Sequence, residues 1–180
     1  VLDIGTGTGF VAMIAAGLGH RVTGIDLAEP MLSEARGAAA QRGLNVRFLL
    51  LDAVAPALTP GSFDAIISRH FIWTLREPDV ALTNWRHLLR PGGRVIAIDG
   101  FWFADAEGEP EPDGLFERHY TKQTRACLPT MAFRSVEPVV QVFESAGFRD
   151  VSVSHLTEIH RLAKEPPGAA PWYVLTATRP

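Results

Sequence analysis

Short apolar runs of strand length alternate along the chain with stretches whose apolar residues recur at helical spacing. Residues 1–4 read as a first strand, 10–18 as a helix and 21–26 as a second strand. Pro30 stands where a first-turn proline belongs. Met31, Ala35 and Ala39 then share a helical face, and Gly43 stops that helix. Residues 46–51 form the third strand, and 63–68 the fourth, entered from the turn Pro60-Gly61-Ser62. A helix over 79–89 carries Ala81, Trp85 and Leu88 on one face. Pro91-Gly92-Gly93 is expected to break it before a fifth strand at 94–99. The rhythm then stops, and residues 100–134 hold no clean period. Ser135 restarts it as an expected N-cap, with Val136, Val140 and Phe143 on one face and Gly147 as the stop. Residues 151–155 and 172–178 read as the sixth and seventh strands. Strands alternating with helices predict an α/β fold with a mostly parallel sheet, in one domain over residues 1–180.

Composition narrows the class. Of the 180 residues, 47% are hydrophobic, which suits one buried core and argues against disorder. A net charge of −3 leaves no basic surplus to neutralise phosphates, so a nucleic-acid partner is not expected. The single cysteine, Cys127, cannot form an internal disulfide or build a metal cluster alone; no metal is expected, and the cysteine is read as a small residue at least half-buried. A reducing, cytoplasmic setting follows from the same count. No apolar run reaches the length of a membrane helix, so no membrane partner is expected. The chain opens inside an apolar strand without Met, from which a missing N-terminal segment is expected.

The first strand runs into Asp3-Ile4-Gly5-Thr6-Gly7-Thr8-Gly9 and then directly into a helix. Glycines let a backbone turn tightly and let a ligand lie against it. The dinucleotide fingerprint requires G-x-G-x-x-G, but here the third glycine falls one residue early and Phe10 takes its place. That departure weakens a nicotinamide oxidoreductase reading. Asp26 ends the second strand, where a carboxylate can accept both hydroxyls of a ribose. Asp52 ends the third, where it can accept from an adenine amino group while the N–H of Ala53 meets a ring nitrogen. Each feature alone has an ordinary explanation, as a turn or a helix cap. Three consecutive strands ending in such residues on the carboxyl edge, where open α/β sheets bind ligands, make the conjunction informative.

Residues 1–10, with Asp26, Leu51-Asp52-Ala53, Phe63-Asp64-Ala65-Ile66-Ile67-Ser68 and Leu89-Arg90-Pro91-Gly92-Gly93-Arg94, resemble the class I S-adenosylmethionine-dependent methyltransferases. The likeness is to the branch with ubiquinone, menaquinone and natural-product enzymes, and it spans about residues 1 to 99. It implies a Rossmann-like methyltransferase fold with a seven-stranded sheet in the order 3-2-1-4-5-7-6, its last strand antiparallel. It also implies S-adenosylmethionine as cofactor, with S-adenosylhomocysteine as product. On this resemblance Asp3, Gly5, Thr6, Gly7 and Gly9 surround the methionine end, Asp26 holds the ribose, and Leu27 and Met31 pack near it. Asp52 and Ala53 read the adenine, and Ser68 and Arg69 line the methionine amino group and the approach to the methyl.

The acceptor side is less patterned. Methyl transfer from a sulfonium asks the protein chiefly for positioning and desolvation, with a general base where the acceptor is a phenol or alcohol. His70, just after the fourth strand, is the candidate base, against a role as a wall residue. Trp73, Trp102, His119 and Tyr120 are candidate substrate contacts, and Asp99 either meets a polar group of the substrate or caps a loop. Residues 100–134, with Phe101, Trp102 and Phe103, are expected to form a substrate lid over an apolar, ring-bearing small molecule, against simple packing on the sheet edge. The rival readings are a protein of the same fold that binds the cofactor without transferring methyl, and an NAD-dependent oxidoreductase. A homodimer is compatible with the sequence.

Overall fold

The apolar runs pair into one seven-stranded sheet in the order β3-β2-β1-β4-β5-β7-β6. The computed structural model describes residues 1–101, 120–157 and 172–180. β1 (Leu2–Ile4), β2 (Val22–Asp26), β3 (Val46–Leu50), β4 (Phe63–Arg69) and β5 (Leu89–Asp99) run parallel; β7 (Tyr173–Thr178) is antiparallel to both β5 and β6 (Arg149–His155). β1 is buried along its whole length between β2 and β4, with Leu2 and Ile4 in the core and Asp3 buried between them.

The helices bury their periodic faces against this sheet in two separate clusters. α1 (Phe10–Gly17) and α2 (Glu29–Gln41) place Ala12, Met13, Leu32, Ala35 and Ala39 against Val22 and Phe48. α3 (Pro78–Leu88) and α5 (Glu137–Ser145) supply Ala81, Trp85, Leu88, Val139 and Phe143 to the larger cluster on Ile4, Ile66 and Val95. α1, α2 and α5 close with the same device. A glycine of positive φ follows the last turn, and its N–H and that of the next residue return to the helix carbonyls. For α2 these bonds are Gly43 to Ala40 and Leu44 to Ala39; for α5, Gly147 to Glu144 and Phe148 to Phe143.

Four expectations need correction. Pro91-Gly92-Gly93 does not separate helix from strand: α3 ends at Leu88 and β5 begins at Leu89, with the register against β4 shifting between Phe63 and Ala65. The main chain of Arg179 bonds Gly92 and Gly93 on the other side, so the Pro-Gly-Gly segment stays within the strand as a bulge. Ser135 does not cap α5; Val136 precedes that helix, and no side chain caps its first turn. Residues 100–134 are not wholly irregular: they contain α4 (Lys122–Ala126), capped by the Thr121 hydroxyl, and a 3₁₀ turn, Pro129–Ala132. Both are too short to show a period in sequence. Leu128 and Met131 are buried, and the Thr130 hydroxyl donates to the carbonyl of Ile72 at 2.9 Å. Cys127, expected at least half-buried, is exposed at the end of α4. Among the described residues no helix is long and apolar enough to cross a membrane.

Candidate active site

β1 delivers Asp3 to the base of the glycine loop rather than to its open side. Asp3 is 2% exposed, and its Oδ2 accepts the Thr6 hydroxyl at 2.6 Å and the N–H of Ala12 at 3.0 Å. Burial pushes its carboxyl up to about 6, against the pull of those two donors. Asp3 therefore ties loop to helix, and Thr6, also buried, is a partner in the tie. Gly9 has φ 80°, and a Cβ there would lie 2.9 Å from Phe48 and 3.1 Å from Ala35. The early third glycine thus lets α1 start in close contact with β3 and α2.

The carboxyl ends of β2 and β3 present the two acidic residues. Asp26 accepts the N–H of Gly7 at 2.8 Å on Oδ2 and that of Ala28 at 2.9 Å on Oδ1. A carboxylate has roughly four acceptor positions, so capacity for two further donors remains. Asp52 is exposed and uses Oδ1 on the N–H of Val54 at 2.8 Å. The intervening Ala53 is buried, and its carbonyl accepts the indole N–H of Trp85 at 2.7 Å, while Asn84 donates to the carbonyl of Val54. α3 thereby fixes the segment after β3. Gly5, Asp26, Leu27, Asp52 and Ala53 line one cavity of about 460 Å³ with Phe71 and Leu75, a volume in the range of small-molecule sites. A larger hollow of about 630 Å³, lined by Pro60, His87 and Arg179, lies at the opposite, amino edge of β4 and away from the loop.

The other expected cofactor contacts, Met31, Ser68 and Arg69, are not among the residues that line this cavity. Met31 is partly exposed, its Cε 3.4 Å from the place a Cβ of Gly7 would take. Ser68 is 1% exposed, paired with Ile4 and Ala97 on the neighbouring strands, and its hydroxyl has no hydrogen-bond partner among the described residues. Arg69 is exposed and holds its guanidinium 4.9 Å from the centroid of the Phe10 ring.

After β4 the chain turns sharply. His70 has φ 53° and donates its N–H to the carbonyl of Ile98 at 2.9 Å. Its imidazole is half-buried and meets Trp172 edge to face at 5.1 Å. Burial, and then the Arg69 charge, hold its pKa below the usual imidazole value. Asp99, at the end of β5, accepts the N–H groups of Phe71 and Ile72 on Oδ2 and of Gly100 on Oδ1. It is 2% exposed, so of its two expected roles the structure shows the loop cap. This clamp presses Phe71 onto Gly5, where a Cβ would lie 2.3 Å from the ring.

Trp73 and Tyr120 come together, with ring centroids 5.1 Å apart. Trp102 and His119 lie outside the described residues. Phe101 rests on Tyr173 at 5.3 Å, which is packing on the sheet. The expectations did not include Phe71 and Leu75 as cavity walls, Asn84 and Trp85 as supports of the Asp52 segment, or Trp172. Trp85 was visible only as an apolar periodic position; its indole N–H gave no separate signal.

A methyltransferase domain model matches residues 2–97, which covers every strand and loop described around the cavity. The chain belongs to the S-adenosylmethionine-dependent methyltransferase family. It is 36% identical over 131 residues to the demethylmenaquinone methyltransferase of Thermus thermophilus, covering 72% of this chain and 56% of that enzyme. It is 33% identical over 163 residues to an aklanonic acid methyltransferase of Streptomyces, covering 82% and 74%. The chain thus spans little more than half the first of these relatives. Among solved structures, phosphoethanolamine N-methyltransferase 2 of Haemonchus contortus, in complex with S-adenosyl-L-methionine, superposes with a TM-score of 0.72 over 99% of this chain and 48% of that one, at 22% identity. That likeness is one of fold.

Proposed function

We propose that this methyltransferase domain binds S-adenosylmethionine along the carboxyl edge of β1, β2 and β3 and transfers its methyl to a small acceptor. The observation that carries the reading is the cavity joining Gly5, Asp26, Asp52 and Ala53. Its acceptor set fits an adenosine: two carboxylates with acceptor capacity, set apart by an apolar floor. Asp26 would take the ribose hydroxyls, and Asp52 with the N–H of Ala53 the adenine edge. Phe71 and Leu75 would supply the faces that hold a flat base. The loop from Gly5 to Gly9, tied down by Asp3, would carry the methionine end toward Ser68 and Arg69, with Leu27 and Met31 at the side.

When bound, the cofactor supplies an electrophilic methyl on a sulfonium. The chain's part is to orient an acceptor in line with it and to exclude water. His70 stands beside that position, and burial keeps its imidazole neutral and able to take a proton near neutral pH. Nδ1 is buried, so Nε2 is the nitrogen that would take the acceptor's proton. Trp73 and Tyr120 form an aromatic wall on the acceptor side. Relatives named for demethylmenaquinone and aklanonic acid support a ring-bearing acceptor. The test is radiolabelled methyl transfer to a panel of hydroxylated quinones and phenols. His70→Ala should lower turnover by about two to four orders of magnitude with the affinity for S-adenosylhomocysteine unchanged. Full activity of that variant between pH 6 and 9 would leave His70 as a wall residue only.

A further inference from the structure

The turn that carries His70 is braced from the far end of the chain. A non-glycine residue at φ 53° persists only where its surroundings over-determine it. One brace is the N–H of His70 on the carbonyl of Ile98, and a second is the Asp99 carboxylate on the next two N–H groups. The third is a side chain. Trp172 lies immediately before β7, where its carbonyl accepts the N–H of Leu156 at 2.7 Å. Its indole meets the imidazole with centroids 5.1 Å apart and planes at 80°. The same indole occupies the place of a missing side chain: a Cβ on Gly100 would lie 3.0 Å from its Cδ1. Gly100 is thus the seat of the indole, and the indole is a wall of the imidazole. Trp172 falls outside residues 2–97, the part matched by the domain model.

We propose that Trp172 is a positioning residue for His70, its indole seated over Gly100 and fixing the orientation of the imidazole on the acceptor side. The inference rests on the reading of His70 as the acceptor's base. Edge-to-face aromatic pairs favour one mutual orientation, and the indole shields one side of the imidazole from water. Among the described residues, the ionisable groups on the strand ends around it are Arg69 on β4, Asp99 on β5 and Tyr173 on β7. Arg69 opposes protonation of His70. Asp99 is committed to backbone donors, and burial raises the Tyr173 phenol and keeps it neutral. Removing the indole admits water, so the His70 midpoint should rise toward the ordinary imidazole value.

The experiment is an NMR titration of the histidine rings in isotope-labelled protein, the His70 signal being the one lost in His70→Gln. Wild type should show His70 as a single tautomer titrating below the ordinary value. Trp172→Phe keeps a ring over Gly100 and should stay close to wild type. Trp172→Ala should raise the midpoint and bring the two tautomers into exchange. Gly100→Ala, which displaces the indole by a few tenths of an ångström without removing it, should move the midpoint the same way by less, and it serves where Trp172→Ala does not fold. An unchanged His70 midpoint and tautomer in both alanine variants would overturn the proposal. Calorimetry with S-adenosylhomocysteine separates this outcome from the wider reading: absence of binding to wild type contradicts the proposed function, while the titration still decides the Trp172–His70 pairing.

Discussion

Replacing Asp3 with Asn should remove a pH dependence of stability that runs opposite to the one usual for carboxylates. Asp3 is buried at 2% exposure, and its carboxyl is raised from 3.8 to about 6. The folded state therefore holds the proton more tightly than the unfolded chain. Between those two values the native protein binds more protons than the unfolded one, so its stability falls as pH rises. A shift of about 2 pH units corresponds to about 3 kcal/mol of lost stability between pH 3.5 and 7, at about 1.4 kcal/mol per unit. The ionised carboxyl is retained because its Oδ2 holds the Thr6 hydroxyl and the Ala12 N–H, and through them the glycine loop. Asn can present its Oδ1 to the same two donors and does not titrate. Urea denaturation of wild type and Asp3→Asn, in half-unit steps from pH 3.5 to 7.5, gives the difference in unfolding free energy. Wild type minus variant should decline by up to about 3 kcal/mol across that range. A flat difference, or one that grows with pH, would refute the reasoning, because the latter requires a depressed Asp3 carboxyl.

Two further substitutions test the supports of the site. Gly9→Ala should cost about 2–4 kcal/mol, from the left-handed φ together with the overlap on Phe48 and Ala35; thermal unfolding within a degree of wild type would contradict the close packing of α1. Asp99→Ala leaves the N–H groups of Phe71, Ile72 and Gly100 without their acceptor, and should destabilise by about 3 kcal/mol or more. It should also speed hydrogen exchange at Phe71 and Ile72, and protection equal to wild type would exclude the clamp.

Much of the fold was legible because the parallel strands are buried and announce themselves as apolar runs, as in residues 95–98 of β5. The glycine stops after α2 and α5 were legible for an equally local reason, the need for positive φ at Gly43 and Gly147. What failed was non-local. Pro91-Gly92-Gly93 reads as a break, yet the main chain of Arg179, distant in sequence, holds it in the sheet. Ser135 has the chemistry of a cap, but α5 starts at Glu137 and Val136 holds the N-cap position. At the site, Asp26 and Asp52 showed themselves by ending strands. The family resemblance puts Asp3 at the methionine end; its bonds to the Thr6 hydroxyl and the Ala12 N–H depend on how α1 starts, which the sequence does not show. Trp172 met His70 across 102 positions, and no spacing rule connects them.

We propose that Asp26 and the neighbouring cavity hold the adenosyl group of S-adenosylmethionine. Isothermal titration of S-adenosylhomocysteine, with NAD as the control ligand, tests it on wild type and Asp26→Ala. S-adenosylhomocysteine should bind and NAD should not. Asp26→Ala should lose about 1.5–3 kcal/mol, or about 10- to 150-fold in affinity, for the charge-assisted ribose contact. Binding of NAD in place of S-adenosylhomocysteine, or equal affinity of the two proteins for S-adenosylhomocysteine, would contradict it.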